Sequence, residues 1–250
     1  MKEMSLTDHL TELRLRLIRV AVILLASFVV CYAFGEQIQN LLLTPLRTAL
    51  GESGKIVFIG LLDKVLTQFQ LAFWSSIIFS SPLWFREIWL FIRPGLYKKE
   101  AKIILPFLVV GFALFWLGVS FGYFIVFPYT FDVILGFGVQ NIEATLNLKD
   151  YIVLASKVLV FLGVLFQLPN IMLILGFMGL IDKNNLKPAH RYVLAAFAVL
   201  SAIMTPPDVI TMMALWIPMV ALYAVGVAGV HLIVEPFRKR KNSEAEDGAA

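Results

Sequence analysis

Carboxylates placed among basic residues carry the most specific chemistry in this sequence. Glu12 lies in the segment HLTELRLR, and Glu100 closes the segment FREIWLFIRPGLYKKE, which also contains Glu87. Such a carboxylate can simply balance positive charge, and Glu12 stands four residues before Arg16, the favourable order for an ion pair on a helix. It can also accept both arms of an arginine guanidinium, a geometry that a lysine ammonium cannot match. Two carboxylates on one surface, Glu12 and Glu100, could therefore bind a pair of arginines in a ligand.

The sequence lacks the motifs that are typical of metal sites, nucleotide-binding sites and hydrolase active sites. The three histidines, His9, His190 and His231, lie in separate segments without a cysteine partner or an H-E-x-x-H spacing, which argues against a metal site. Neither a phosphate-binding glycine loop nor a serine-hydrolase motif occurs in the sequence. We therefore predict no enzyme activity, no cofactor and no metal. The net charge of +4 comes from clusters at helix ends and does not indicate nucleic-acid binding.

Composition places most of the chain in lipid. Hydrophobic residues make up 60% of the 250 residues and charged residues 15%, against ~45–50% and ~25% in soluble domains. The sequence predicts an all-α polytopic membrane protein, because helices satisfy their own backbone groups in lipid. Six uncharged runs predict six spans, at about residues 17–35, 65–85, 103–131, 155–181, 192–206 and 209–234. We expect one six-helix domain over residues 1–240 and a disordered tail over 241–250.

The distribution of lysine and arginine predicts the orientation. Sixteen of these residues fall in the N-terminal segment, in the connections between spans two and three and between spans four and five, and in the C-terminal tail. Five fall on the opposite side. By the positive-inside rule, both termini and the segment that contains Glu100 are cytoplasmic. On the opposite side, residues 36–64 and 132–157 are semi-apolar and suit helices lying along the membrane surface.

Two polar residues within or beside the spans have alternative interpretations. Gln167 lies near the middle of the fourth span, next to Pro169, which should loosen the helix there. Its amide either bonds inside the bundle or faces a partner helix. Asp208, in the segment TPPDV, either caps the sixth helix or has a functional role at the tip of a short hairpin. The two prolines before Asp208 should end the fifth helix.

The chain resembles the TatC family of the twin-arginine protein translocase in four segments, which occur in the order HLTELRLR, FREIWLFIRPGLYKKE, FQLP and TPPD. The resemblance covers essentially the whole chain. It implies a concave, glove-like bundle in the bacterial inner membrane, which acts as the core receptor for folded proteins that carry twin-arginine signal peptides. It also implies use of the proton-motive force. The implied partners are membrane lipid and single-span subunits of the TatA and TatB type, which dock along the fifth and sixth helices in a multimeric complex.

The resemblance also implies roles for particular residues. It assigns recognition of the two signal arginines on the cytoplasmic face to Glu12 and Glu100. At Gln167 many members of the family carry Glu, and an amide can hydrogen-bond to a partner helix but cannot take part in proton transfer. The other matching positions are Arg14, Phe91, Pro94 and Leu96 on the signal-binding surface, and Pro45 and Asp208 on the far side.

The main alternative function is that of a proton- or ion-coupled transporter of small solutes. Gln167 at mid-membrane and the short hairpin that ends near Asp208 are features such a protein would use. Few charges lie inside the spans, however, and no internal repeat is visible in the sequence. Transport of a solute by the purified chain in liposomes would favour this alternative.

Overall fold

The computed structural model describes residues 6–51, 55–92, 101–136, 145–181, 183–204 and 209–237. These residues are helical almost throughout, as the apolar composition predicts. The α-helices are α1 Leu6–Ala33, α2 Gly35–Leu50, α3 Asp63–Phe79, α4 Ser81–Ile92, α5 Ala101–Phe121, α6 Phe127–Gly136, α7 Leu148–Leu165, α8 Leu168–Phe177, α9 Lys183–Met204 and α10 Val209–Gly229. A π-helical turn, Gly122–Val126, joins α5 to α6, and a second one, Val230–Val234, extends α10. The strands are β1 Lys55–Val57 and β2 Thr145–Asn147.

Four helical stretches among the described residues are long and apolar enough to cross a membrane. They correspond to the predicted first, third, fourth and sixth spans, and the chain is therefore a helical, multi-pass membrane protein. A shorter apolar helix, Pro188–Met204, falls on the predicted fifth span. The four long stretches are Leu10–Ala33, Pro106–Val133, Leu148–Phe177 and Val209–Phe237.

The helix of the second predicted span, residues 65–85, is interrupted in the structure. The helix breaks at Ser80, between α3 and α4. Pro82 has no N–H to donate to the carbonyl four residues earlier, so one helical bond is lost at this point. The indole Nε1 of Trp84 donates to the carbonyl of Ile77 at 2.8 Å and stabilises the break. An uncharged run predicts contact with lipid, but it does not show where helical hydrogen bonding stops.

The chain divides into two compact units, the first of which is Met1–Phe161. In this unit α1 lies along α3 and α4, and α2 packs against α3 and α6. Gly35 permits a close approach between α3 and the start of α2, because a Cβ there would overlap the amide of Gln68. That amide donates from Nε2 to the carbonyl of Tyr32 at 3.1 Å. A glycine at the α1–α2 junction therefore lets α3 bond to the end of α1.

The two connections predicted as surface helices differ from each other. The first contains α2, a 16-residue helix, and its position along the membrane surface stays a prediction. In the second, residues 132–157, the described residues belong to the end of α6, to β2 and to the start of α7, and no separate helix lies among them. β1 and β2 pair in parallel, with Lys55 opposite Thr145. The sequence did not predict this pairing, because strands of three residues produce no alternating pattern.

The second compact unit is Leu162–Ala250. In it α10 packs against both α8 and α9. Gly226 permits the contact with α8, because a Cβ there would lie 3.2 Å from Cα of Pro169. Nδ1 of His190 and the hydroxyl of Tyr223 lie 2.6 Å apart and connect α9 to α10.

Candidate functional site

A cluster of ion pairs joins α1 to α4 in the first unit. Arg16 donates from Nε and Nη2 to Oε1 of Glu12, at 3.0 and 2.6 Å. From Nη1 it donates to Oε2 of Glu87 at 3.2 Å. The pair of Glu12 with Arg16 was predicted from their spacing and is confirmed. The contact with Glu87 links residues 71 positions apart, and the sequence did not predict it.

Glu87 is the buried carboxylate of this cluster. Its side chain is 6% exposed, and Nη1 of Arg19 and of Arg86 lie 3.7 and 3.6 Å from its oxygens. Both of these arginines are exposed, so each ion pair contributes little to stability by itself. Three guanidinium groups around one carboxylate nevertheless offset the cost of burying its charge. Glu87 therefore fixes α4 against α1 and anchors Arg16, a role that the sequence did not reveal because it depends on burial.

The predicted signal-binding residues that the structure describes lie on these two helices. The side chain of Glu12 is 22% exposed, and Arg14 is exposed one half-turn further along α1. Phe91 is half-buried in the last turn of α4, four residues after Glu87. Glu12 and Phe91 thus belong to neighbouring helices, which Arg16 links through its hydrogen bond to Glu87.

Four predicted site residues lie outside the described residues: Pro94, Leu96, Glu100 and Asp208. The first three belong to the segment that follows α4, and Asp208 comes directly before α10. The convergence of Glu12 with Glu100 stays a prediction. So does the choice between a capping and a functional role for Asp208.

Pro45 lies inside α2 and borders a cavity of about 420 Å³ in the first unit. The cavity lies between α2 and the helical stretch that contains Tyr123 and Asp132. Because proline has no N–H, the carbonyl of Leu41 loses its helical donor. The hydroxyl of Tyr123 donates to that carbonyl at 2.8 Å. The segment around Pro45 is therefore held by a side chain from a later helix.

Gln167 lies at a helix break in the second unit. α7 ends at Leu165 and α8 begins at Leu168, so the helix is interrupted beside Pro169, as predicted. Gln167 is 8% exposed, and Nδ2 of Asn170 lies 3.5 Å from its Oε1. This neighbour in its own chain favours the interpretation in which the amide bonds inside the protein. The sequence could have predicted Asn170 as a neighbour of Gln167, because residues three apart on a helix lie on the same face.

The chemistry that the cluster on α1 and α4 offers is the binding of cations through hydrogen-bonded ion pairs. Arg16 shows the geometry in which the carboxylate of Glu12 holds a guanidinium. Within the described ranges, no three His, Cys, Asp or Glu side chains are grouped so that they could hold a metal ion. Fold and cluster together define a class: a multi-pass helical membrane protein with a guanidinium-binding carboxylate at the start of its first helix.

Comparison with known proteins then gives the family. The family model described as Sec-independent protein translocase protein (TatC) matches residues 8–218. The chain is 38% identical over 243 residues to the protein of that name from Desulforapulum autotrophicum, an alignment that covers 97% of this chain and 88% of the relative. It is 30% identical over 236 residues to the Escherichia coli K12 protein of the same name, with coverage of 94% and 92%.

Two crystal structures of the twin-arginine translocase receptor TatC, the second one in DDM, have the same fold. They superpose on this chain with TM-scores of 0.83 and 0.82, at 27% and 28% sequence identity. The superpositions cover 90% and 88% of this chain and 98% and 97% of the solved chains. The chain belongs to the TatC family, and it is a component of the twin-arginine protein translocase.

Proposed function

We propose that this protein receives twin-arginine signal peptides and that Glu12 is one of the carboxylates that bind them. The observation that carries this proposal is the guanidinium of Arg16, which lies on Glu12 at 2.6 and 3.0 Å. A carboxylate that holds the guanidinium of Arg16 in this way can hold that of a ligand arginine in its place, since charge-assisted hydrogen bonds of this kind are strong. The side chain of Glu12 is 22% exposed, so a ligand can reach it.

Glu100 supplies the second carboxylate in this proposal. α4 ends at Ile92, and the segment 93–100 follows it directly. Because Arg16 connects Glu12 to Glu87 of α4, this segment starts from the helix that neighbours Glu12. That arrangement supports a common binding surface for the two signal arginines. The remaining members of the surface would be Arg14, Phe91, Pro94 and Leu96.

The proposal includes a topology of six spans in the inner membrane of a bacterium, with both termini in the cytoplasm. The four long apolar stretches support it, as does the shorter helix Pro188–Met204. The predicted span over residues 65–85, which contains α3 from residue 65 onwards, would be the remaining one. The excess of lysine and arginine on one side supports the orientation.

Subunits of the TatA and TatB type would pack along α9 and α10 in a multimeric complex. The proton-motive force would drive the export of proteins by this complex. Exposed apolar side chains on these helices support this docking, among them Ile203 at 69% and Val225 at 61%. Such faces contact lipid or another apolar helix. Pro45, Gln167 and Asp208 would act in partner contact or in translocation.

The direct test is binding of a labelled twin-arginine signal peptide to the purified full chain in detergent, compared with its twin-lysine version. The twin-lysine peptide should bind about tenfold more weakly, because one ammonium cannot replace bidentate bonds worth ~1.5–3 kcal/mol. Glu12→Gln should lower the affinity for the twin-arginine peptide by a similar factor.

Glu36→Gln is the matched control, because it removes an exposed carboxylate from α2. It should leave the affinity for both peptides unchanged. If Glu12→Gln binds the twin-arginine peptide as tightly as the unsubstituted protein does, Glu12 is not part of the site.

A further inference from the structure

Arg16 already occupies the carboxylate that the proposed function assigns to a ligand. Its Nε and Nη2 both donate to the same oxygen, Oε1 of Glu12, at 3.0 and 2.6 Å. Oε2 of Glu12 has no partner among the described residues. The side chain of Arg16 is only 17% exposed, so it is held in this position by its surroundings.

A ligand arginine that binds with one N–H on each carboxylate oxygen uses both oxygens of Glu12. Bidentate binding places one N–H on each carboxylate oxygen, and Oε1 is already bonded twice to Arg16. The two guanidinium groups therefore compete for Oε1. A ligand lysine differs, because a single ammonium can bond to Oε2 while Arg16 stays in place.

Glu87 provides a second partner for the displaced arginine. Its Oε2 accepts Nη1 of Arg16 at 3.2 Å, and its side chain is 6% exposed. When Arg16 leaves Glu12, it can keep this bond, so no charge is left buried without a partner. The exchange at Glu12 then costs only the bonds of Arg16 to Oε1.

We propose that Arg16 is an internal competitor for Glu12 and thereby sets the affinity for arginine ligands. This inference rests on the proposed function of Glu12 as a signal-binding residue. Arg16 vacates Oε1 when a signal arginine binds and returns when the signal leaves. An intramolecular competitor acts at high effective concentration, which keeps the complex weak enough to be reversed after docking.

The test is Arg16→Gln in the full chain, with binding of twin-arginine and twin-lysine peptides measured by fluorescence anisotropy. The affinity for the twin-arginine peptide should rise about three- to tenfold, because Glu12 is free in the variant. The affinity for the twin-lysine peptide should change less than about twofold, since lysine does not need Oε1. No gain for the twin-arginine peptide, or an equal gain for both peptides, overturns the proposal.

Arg19→Gln is the matched control for charge. Arg19 contacts Glu87 at 3.7 Å and makes no contact with Glu12 among the described residues, and its side chain is 61% exposed. The variant removes the same unit charge from the cluster without freeing Glu12. If Arg19→Gln raises the affinity for the twin-arginine peptide as much as Arg16→Gln does, general electrostatics explains the gain and the proposal fails.

Two further variants separate the possible causes of failure. Arg16→Lys keeps a positive charge beside Glu87, so this variant should stay folded and can replace Arg16→Gln if Arg16→Gln does not fold. It should give a smaller gain of the same sign, because an ammonium holds Oε1 less well than a guanidinium. Glu12→Gln tests the proposed function itself. If it lowers affinity while neither Arg16 variant raises it, only the competition is refuted; if it has no effect, the proposed site is refuted.

Discussion

The hydroxyl of Tyr123 donates a hydrogen bond to the main-chain carbonyl of Leu41, with 2.8 Å between the two oxygens. That carbonyl lies four residues before Pro45, whose nitrogen carries no hydrogen and cannot bond to it. A tyrosine from the π-helical turn after α5 therefore replaces the bond that proline removes from α2. Tyr151, from α7, donates to the next carbonyl, that of Leu42, at 2.6 Å. The conformation around Pro45 thus depends on later segments of the first unit.

Tyr123→Phe should lower the free energy of unfolding by about 1 kcal/mol, because the carbonyl of Leu41 loses its donor while the aromatic packing remains. Thermal unfolding of the purified protein in detergent would measure this change. Tyr129→Phe is the control, because Tyr129 is 51% exposed and makes no hydrogen bond to the described residues. Equal unfolding temperatures for the two variants would show that the bond to Leu41 contributes nothing.

Pro45→Ala should reduce the cost of Tyr123→Phe. Alanine restores a backbone N–H that can donate to the carbonyl of Leu41, so this carbonyl keeps a partner when the tyrosine hydroxyl is removed. In a double-mutant cycle, the destabilisation by Tyr123→Phe should fall to less than about half of its value in the Pro45 background. Strictly additive effects would show that Tyr123 does not serve the carbonyl that Pro45 leaves free.

Asp63, at the start of α3, should make stability depend on pH. Its Oδ1 accepts Nζ of Lys149 at 2.9 Å, and its Oδ2 accepts the N–H of Gly60 at 2.7 Å. The hydrogen bond from Lys149, supported by that from Gly60, holds the pKa of Asp63 below its ordinary value. In the unfolded chain the pKa returns to about 3.9. The stabilisation is therefore complete above about pH 4 and is lost as the pH falls through the lower pKa of the folded state.

Asp63→Asn should accordingly lower the unfolding temperature at neutral pH, and the difference from the unsubstituted protein should shrink towards about pH 3. Thermal unfolding in detergent between these two pH values would measure it. Glu36→Gln is the control, because it changes an exposed carboxylate with no ion pair to the described residues. Its difference in unfolding temperature from the unsubstituted protein should not shrink in this way at low pH. A constant difference for Asp63→Asn across the whole range would mean that the pair with Lys149 does not act through the charge of Asp63.

Interactions between residues close in the sequence could be predicted, while those that depend on packing could not. The ion pair of Glu12 with Arg16 and the break beside Pro169 each follow from residues at most four positions apart. The bond of Arg16 to Glu87 spans 71 residues. No local pattern indicates such a contact, because it exists only once α1 and α4 lie together.

The break at Ser80 shows the limit of hydropathy in a membrane protein. The whole run around it is apolar, so the pattern is the same on both sides of the break. Pro82 was the one local signal for it. Hydropathy also does not indicate which glycines permit close helix packing. Gly226 could not be identified in this way, because its contact with α8 involves residues far away in the sequence.

Gly226 and Gly229, both in α10, allow a matched test of helix packing in the second unit. Alanine should increase helix propensity equally at the two positions, by about 1 kcal/mol. At Gly226 a Cβ would lie 3.2 Å from Cα of Pro169 and still closer to Sδ of Met172. At Gly229 the nearest atom would be Cδ2 of Leu173, at 3.0 Å. A leucine methyl group can rotate away, whereas the backbone of Pro169 can move only with the whole of α8.

Gly226→Ala should therefore lower the free energy of unfolding by about 1–3 kcal/mol relative to Gly229→Ala, which should be neutral or stabilising. Thermal unfolding of the two variants in detergent gives this difference directly, because the propensity contribution cancels between them. A Gly226→Ala variant as stable as Gly229→Ala would show that α8 can move back from α10 at little cost. The close contact at Gly226 would then not be what holds these two helices together.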